Sequence, residues 1–192
     1  MADRAFSRLE TPRLHIRRFR PNDLDAFQAY RSDPEVARYQ SWDAPFPRDE
    51  FVAFLAEMER SHPDTPGAWF QFAVARRDDD RLIGDVALRV DDNEPDKAEI
   101  GYSLARDAMG QGYAGEAVAA VLDYDLLSRS KSHVIAWADT RNTRSLALLE
   151  RLGFVQQDHV SRESWFKGAW SEESKHVMIA AAWRERSAEP DA

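Results

Sequence analysis

The chain has 192 residues, of which 43% are hydrophobic and 31% are charged, with a formal net charge of −8 at pH 7 and no cysteine. This composition is typical of a globular protein long enough to bury one proper core, and the lack of cysteine excludes disulfides, thiolate metal sites and cysteine nucleophiles. We expect a cytoplasmic protein that binds neither membranes nor nucleic acid, because no apolar run reaches the roughly 18 residues of a membrane span, the N-terminus lacks an apolar signal core, and the acidic balance disfavours nonspecific contact with nucleic acid.

The first third of the chain predicts one strand, two helices and an aromatic loop. Residues 1–8 are expected to form a loose tail, and residues 9–18 show the period-two alternation of a strand. Helices are predicted at residues 21–31, which open on a proline, and at residues 48–60, where apolar residues recur with helical spacing. Between the two helices, residues 39–47 form a loop rich in aromatic residues and proline.

Three neighbouring strands are predicted next, at residues 69–76, 81–90 and 98–104. Short polar links join them, and this arrangement favours an antiparallel meander. A glycine-containing loop follows, and the apolar spacing after it predicts a helix from about residue 112 to residue 129.

The last third of the chain predicts a strand at residues 134–138 and a helix at residues 142–152. Two closing strands are predicted at residues 154–166 and 174–182, where β-branched and aromatic residues recur. Residues 184–192 are expected to form a disordered tail.

No internal repeat and no linker divides the chain. We therefore predict a single domain over residues 9–183, of the mixed α/β (α+β) class. Its central twisted sheet of about seven strands is expected to be mostly antiparallel and to be flanked by about four helices.

The loop after the third meander strand carries glycines at positions 110, 112 and 115. Glycine lets the backbone approach a ligand closely, and the free N–H groups and dipole of a helix start favour an anion, so the loop predicts a phosphate site. The sequence contains no Gly-Lys-Ser/Thr, so the loop is not a Walker loop. The spacing Gly110-x-Gly112-x-x-Gly115 matches a dinucleotide-binding loop literally, although it does not follow the first strand of a βαβ unit. A dinucleotide-dependent enzyme therefore stays open as an alternative.

Five motifs in the same order resemble those of the GNAT N-acetyltransferases, and within that family the branch that includes the ribosomal-protein N-terminal alanine and serine acetyltransferases. The resemblance covers nearly the whole chain, from about Leu9 to Trp183. It implies a GNAT-like fold and an enzyme that moves an acetyl group to a primary amine by direct attack on a thioester. The motifs are ETPRLHIRRF (10–19), EIGY (99–102), GQGYAGEA (110–117), NTRSLALLERLGF (142–154) and WFKGAW (165–170).

The same resemblance implies acetyl-CoA as the co-substrate and no metal. Backbone N–H groups of the glycine loop would hold its pyrophosphate, and Met109 stands where the family often has Gln or Arg. The strand that ends at Leu104 would pair its backbone with the pantetheine arm, and the N–H of Leu104 or of a neighbour would polarise the thioester carbonyl. The expected coenzyme contacts are Tyr102, Ser103, Leu104, Met109, Gly110, Gln111, Gly112, Tyr113, Ala114, Asn142 and Ser145.

An amine attacks a thioester only when it is deprotonated, so the reaction calls for a base. Glu99 is the candidate base, because it precedes the coenzyme-binding residues on the same strand; the alternative is a salt-bridged or solvent-facing glutamate. Many family members have a tyrosine acid where this chain has Leu149. Ser145 would then supply a hydrogen bond to the sulfur, unless it is only a small residue that lets its helix approach the coenzyme.

The acceptor pocket is predicted to involve Glu99 and three aromatic residues, Trp42, Phe46 and Trp69. Aromatic faces can enclose an amine by packing or by cation–π contact, but the same side chains can also cap the core. The expected acceptor is a small-molecule amine or a protein N-terminus, which suits the negative net charge. A homodimer is compatible with the resemblance.

The sequence also bears on a metal site and on a function other than catalysis. The five histidines of the chain lack metal-ligand spacing, so no metal site is predicted. A non-catalytic sensor of acyl-CoA with the same fold is the alternative to the enzyme, because the family's tyrosine acid is absent.

Overall fold

A computed structural model describes residues 6–188, which form a single eight-stranded sheet with helices on both faces. The strands lie side by side in the order β1-β2-β3-β4-β5-β6-β8-β7. Their bounds are β1 Arg8–Glu10, β2 Leu14–Arg17, β3 Trp69–Arg76, β4 Leu82–Val90, β5 Lys97–Leu104, β6 His133–Asp139, β7 Val155–Phe166 and β8 Ala169–Ile179.

Six α-helices lie within the same described residues. They are α1 Leu24–Arg31, α2 Pro34–Ala37, α3 Arg48–Arg60, α4 Tyr113–Leu122, α5 Thr143–Leu152 and α6 Ala180–Ala188. A π-helical turn, Asp123–Ser128, continues α4. Between residues 6 and 188, no helix is long and apolar enough to cross a membrane.

The sheet is antiparallel except between β5 and β6, and this exception creates an opening. The two strands pair in parallel only from Lys97 opposite His133 to Glu99 opposite Ile135. Beyond that point they diverge, while β5 stays paired with β4 and β6 stays paired with β8 along their lengths. One edge of β5 is therefore free of strand partners from Ile100 onward. The expected class, a mixed α/β fold with a mostly antiparallel sheet, is confirmed.

Each face of the sheet is covered by its own apolar cluster. On one face, Phe27 of α1 packs its ring against Phe46, Phe51 and Phe54, the last two from α3. On the other face, α4, α5 and α6 cover the sheet with side chains that include Val118, Leu149 and Trp183. Strand alternation sends successive residues of β5 to opposite faces, so Ile100 packs in the cluster with α4 and α5 and Glu99 lies on the other face.

The first strand differs from its prediction. Residues 9–18 form two strands, β1 and β2, which pair with each other so that Leu9 lies opposite Ile16. A turn separates them, in which the Thr11 N–H donates to the carbonyl of Leu14 at 3.0 Å. Pro12 lies in that turn, and proline has no N–H for a sheet ladder, which explains why one continuous strand does not form. The split accounts for the eighth strand.

The described residues of both expected tails pack on the domain or continue its secondary structure. Phe6 is only 6% exposed and packs its ring against Phe70, Phe72 and Tyr124. At the other end, the strand predicted at residues 174–182 stops at Ile179, and α6 carries the chain through residue 188. The run of alanines that opens α6 has high helix propensity, which explains the change. Residues 1–5 and 189–192 of the expected tails lie outside the described residues.

Candidate active site

The gap between β5 and β6 forms a cleft that the two strands and α5 line together. In an antiparallel pair, alternate residues of a strand exchange hydrogen bonds with the partner strand, and those between them point away. The N–H of Ala105 donates to the carbonyl of Ile83 at 2.8 Å, so the odd-numbered residues of β5 turn their backbone groups to β4. Consistent with this, the carbonyl of Tyr102 accepts from Gln40 Nε2 at 3.3 Å on the open side.

Because of this alternation, the three strand residues expected to contact the coenzyme do not all turn their backbone groups to the cleft. Tyr102 and Leu104 present their backbone groups to the open edge of the cleft, where an extended ligand can add like a strand. Ser103 lies opposite Asp85 of β4 and is buried, and its backbone groups point to that strand. Two of the three residues are therefore placed for the predicted pairing, and Ser103 is not.

The glycine loop ends at the start of α4, as the sequence predicts. Gly110 and Gly112 have φ of 75° and 81°, a left-handed conformation that favours glycine. The first helical bond runs from the N–H of Glu116 to the carbonyl of Gly112 at 3.1 Å. The N–H groups of the first turn have no acceptor within the helix, so they are available to an anion.

Side chains of the loop contribute differently from its backbone. Gln111 turns its amide back to the carbonyl of Asp107 at 2.7 Å. Met109 lies against Arg144, whose Nη1 is 3.5 Å from its sulfur. Any anion contact of Gln111 would therefore be made by its backbone. The N–H of Met109 already donates to the carbonyl of Arg106 at 3.2 Å, so neither the N–H nor the side chain of Met109 is placed for an anion.

Arg13 is a functional candidate that the sequence analysis did not identify. Its Nη1 donates to the carbonyl of Gln111 at 2.9 Å, and its Nε donates to Glu116 at 2.6 Å. The guanidinium lies 4.6 Å from the ring centre of Tyr113. A Cβ placed on Gly112 would be 3.2 Å from Arg13 Nη2, so the cation lies directly beside the loop. No local signal points to this contact, because 103 positions separate Arg13 from Glu116.

The start of α5 forms the opposite wall of the cleft. Asn142 caps the helix, with its side-chain oxygen accepting from the N–H of Ser145 at 3.3 Å. The cap occupies this oxygen and leaves the amide N–H₂ group to face a ligand. Ser145 Oγ lies 2.7 Å from the hydroxyl of Tyr102, which crosses from β5. Burial raises the pKa of Tyr102 to about 12.

Glu99 lies where β5 and β6 begin to part, on the sheet face opposite to Tyr102. Its carboxylate lines a second, polar cavity that it shares with Arg89, His133 and Lys175. Burial raises the pKa of Glu99 above its ordinary value, against the opposing effect of Arg162 and Arg89. The group is thus a partly buried carboxylate that takes up a proton more readily than an exposed one.

The three aromatic residues proposed for the acceptor pocket lie in two different places. Trp42 stacks 3.9 Å from the guanidinium of Arg31 and donates from Nε1 to the carbonyl of Arg31 at 3.0 Å. Phe46 is 8% exposed within the cluster around Phe27, so it packs in the core and offers no free face. Trp69 lies opposite Arg89 of β4 and is half-buried on the same face as Glu99.

The hairpin of β7 and β8 closes one side of the region that carries Glu99. Lys167, which lies in the turn of this hairpin, donates to the carbonyl of Ala37 at 2.6 Å and also to the carbonyl of Trp42.

At the end of β6, hydrogen bonds from Arg141 and Ser171 lower the pKa of Asp139 to about 2. Within residues 6–188, no three His, Asp or Glu side chains are arranged to hold a metal ion.

The residues therefore lie one after another along β5 and the elements beside it. An anion site at the start of α4 leads to an open strand edge, then to a hydroxyl pair on one face and a carboxylate on the other. This arrangement suits a long ligand that carries phosphates at one end and a reactive group at the other.

Comparison with known proteins agrees with this geometry. A family model described as an acetyltransferase (GNAT) domain matches residues 13–155. The chain is 32% identical over 149 residues to the uncharacterised N-acetyltransferase p20 of Bacillus licheniformis, a match that spans 78% of this chain and 83% of the relative.

Solved structures share the fold at lower identity. The ribosomal-protein-S5-alanine acetyltransferase of Vibrio fischeri has a TM-score of 0.78 and 20% identity, covering 93% of this chain and 99% of that one. The spermidine N-acetyltransferase of Vibrio cholerae, solved in complex with CoA and spermine, has a TM-score of 0.76 and 19% identity, covering 91% and 99% of the two chains.

Proposed function

The chain belongs to the GNAT family and is an N-acetyltransferase, and on that premise we propose that it transfers the acetyl group of acetyl-CoA to a primary amine. The observation that carries this proposal is the path from the glycine loop, along the free edge of β5, to Glu99. The amine would belong to a protein N-terminus or to a small molecule. The motifs favour the branch that includes the ribosomal-protein N-terminal acetyltransferases.

The residues of the cleft fit acetyl-CoA, which the family uses and which brings an acetyl thioester. Backbone N–H groups from Gly110 to Ala114 would bind the pyrophosphate, and the guanidinium of Arg13 would add a positive charge beside them. The open backbone groups of Tyr102 and Leu104 would hold the pantetheine arm in an extended form. The Leu104 N–H would then point towards the thioester carbonyl and polarise it.

Glu99 would act on the acceptor side of the sheet. An α-amino group has an ordinary pKa of about 8, so it is mostly protonated at neutral pH and cannot attack. Glu99 would take the proton of the amine directly or through one water. Burial raises the pKa of Glu99 against the opposing charges of Arg162 and Arg89, which makes it a stronger base than an exposed glutamate.

The two solved relatives named above are named for acetylating spermidine and a ribosomal protein. Both acceptors carry amines. This supports an amine as the acceptor of this chain but does not distinguish a protein N-terminus from a small molecule. Trp69 and the polar cavity beside Glu99 are the proposed acceptor contacts. Trp42 would act through the shape of its loop, because its ring is stacked on Arg31.

The first test is thermal unfolding with acetyl-CoA, with NAD as the control ligand. A ligand at about 100 times its dissociation constant stabilises the fold by roughly 2.7 kcal/mol, which gives a visible rise in melting temperature. We expect a rise with acetyl-CoA and none with NAD. A rise with NAD alone would overturn the proposal in favour of a dinucleotide enzyme.

The second test is thiol release from acetyl-CoA in the presence of amines, using spermidine, an amino acid and a peptide with a free alanine N-terminus. Release with at least one amine is the expected result. Binding of acetyl-CoA without release from any amine would contradict the catalytic roles and favour an acyl-CoA sensor.

A further inference from the structure

The hydroxyl of Tyr102 and the hydroxyl of Ser145 meet inside the cleft, although the two residues are 43 positions apart. Tyr102 comes from β5 and Ser145 from the first turn of α5, so the pair bridges the two walls. Their oxygens are 2.7 Å apart, while the carbonyl of Ser145 is 3.3 Å from the same phenol. Leu149, one turn further along α5, adds only apolar surface to this wall.

The chemistry of the two hydroxyls sets the direction of the hydrogen bond. A phenol, with an ordinary pKa of about 10, is a much stronger acid than an aliphatic alcohol, so it is the better donor of the two. The phenol O–H has two acceptors, Ser145 Oγ at 2.7 Å and the Ser145 carbonyl at 3.3 Å, of which Oγ is the nearer. When Tyr102 donates to Oγ, the hydrogen of Ser145 is free to turn into the cleft. Burial raises the pKa of Tyr102 to about 12, so the phenol keeps its hydrogen across the neutral range.

We propose that Tyr102 is a positioning residue that orients and polarises the Ser145 hydroxyl, so that Ser145 donates a hydrogen bond to the coenzyme sulfur. The inference rests on the proposed function and deepens it. Serine alone is a weak donor, and a bond accepted from a phenol strengthens the bond that it donates. No proton moves along the pair. The C–N bond forms as the C–S bond breaks, and the sulfur leaves as a thiolate that the Ser145 hydrogen bond stabilises. Glu99 takes one proton of the protonated amine, and the second proton of the attacking nitrogen passes to water.

This role predicts a lowered thiol pKa for CoA bound to the wild-type protein. A hydrogen bond to a charged group contributes about 1.5–3 kcal/mol, which corresponds to about one to two pH units. The test is ultraviolet titration of the thiolate of bound CoA. We expect Tyr102→Phe to raise the bound thiol pKa by about one unit and Ser145→Ala to raise it by at least as much, since that variant removes the donor itself.

A double-mutant cycle separates positioning from general packing. Tyr102→Phe should cost nothing further in the Ser145→Ala background, because the phenol acts through Ser145. Equal losses in both backgrounds would overturn the proposal. Tyr124→Phe removes a phenol hydroxyl from the core instead, where its ring packs against Phe6 and Phe72, and should leave the bound thiol pKa unchanged.

Comparing CoA with desulfo-CoA shows whether the change in binding caused by Tyr102→Phe depends on the sulfur. Tyr102→Phe should weaken CoA binding above the thiol pKa by about tenfold and leave desulfo-CoA binding unchanged. An unchanged thiol pKa in a folded variant that binds CoA would refute this inference alone. Absence of CoA binding by the wild-type protein would refute the proposed function as well.

A second variant keeps the proposal testable if Tyr102→Phe does not fold. Replacing every tyrosine by 3-fluorotyrosine preserves the side-chain shape and makes each phenol more acidic. The stronger donor should then lower the bound thiol pKa. A value equal to that of the unlabelled protein would contradict the role of Tyr102.

Discussion

Glu99 lies on one face of the sheet and the hydroxyl pair of Ser145 and Tyr102 on the other, and the proposed chemistry is divided between them in the same way. Alternation along β5 sends Glu99 to one face of the sheet and Tyr102, the partner of Ser145, to the other. An amine can therefore approach the carboxylate while the sulfur lies near the hydroxyl pair. In the proposed reaction both groups act at one thioester carbon, so Glu99, which lines a different cavity from the hydroxyl pair, would reach the amine through one water.

At this scale, Glu99→Gln is predicted to reduce kcat/KM by about a hundredfold, the usual contribution of a positioned base. The loss of kcat/KM relative to the wild type should be largest at pH values above the raised pKa of Glu99 and below about 8, the ordinary pKa of an α-amino group. Below that window the wild-type carboxylate is itself protonated, and above it the free amine needs no base. The measurement is a pH profile of both proteins on one amine.

The control for this variant is Glu185→Gln, which changes an exposed carboxylate of α6 outside that polar cavity. It should leave the pH profile close to that of the wild type. Equal profiles for the wild type and Glu99→Gln would remove Glu99 as the base.

At the scale of elements, the start of α4 combines three sources of positive potential. The helix dipole, the free N–H groups of its first turn and the guanidinium of Arg13 all lie at the glycine loop. Glu116, inside the same helical turn, accepts from Arg13 and Thr11 and thereby anchors the β1–β2 turn to the loop. The element is thus assembled from two distant segments of the chain.

Gly112→Asp is predicted to weaken coenzyme binding by about tenfold or more, because it places a negative charge against the pyrophosphate. Calorimetric titration with acetyl-CoA measures the effect. Gly168→Asp is the matched control, since Gly168 has φ of 79° in the β7–β8 turn and open space around it. It imposes the same backbone strain away from the cleft. Unchanged affinity in a folded Gly112→Asp protein would contradict the loop assignment.

At the scale of the whole molecule, the N-terminal segment is part of the core. Phe6 packs against two rings of β3 and against Tyr124, which follows α4, so it joins the sheet to the helical layer. The homodimer and the single-domain boundary at residues 9–183 stay predictions. Phe6 lies outside that predicted boundary, so a domain defined from residue 9 would lack this contact.

Phe6→Ala is predicted to lower the free energy of unfolding by about 3–5 kcal/mol, the usual cost of removing a buried phenylalanine. Urea unfolding measures it. Val52→Ala is the comparison, because Val52 is 64% exposed on α3 and should change stability by no more than about 0.5 kcal/mol. A similar small loss for Phe6→Ala would show that the segment is as loose as its sequence suggests.

The sequence by itself determined the features that depend on neighbours along the chain. Periodicity identified the three meander strands, and the glycines between β5 and α4 identified an anion site, because turn and helix-start chemistry is local. The order of the motifs identified the family. Glu99 was correctly placed on β5, before Tyr102 and Leu104, whose backbone groups face the open edge, but its role stays a prediction.

Only the tertiary structure decided which distant side chains meet. Arg13 reaches the glycine loop, Tyr102 reaches Ser145, and Phe46 enters the core instead of a pocket. Each outcome depends on how strands and helices lie relative to one another, and a periodic pattern carries no information about that placement. The open edge of β5 also depends on the tertiary structure. β5 and β6 each read as one uninterrupted strand in the sequence, but the two strands diverge after Glu99.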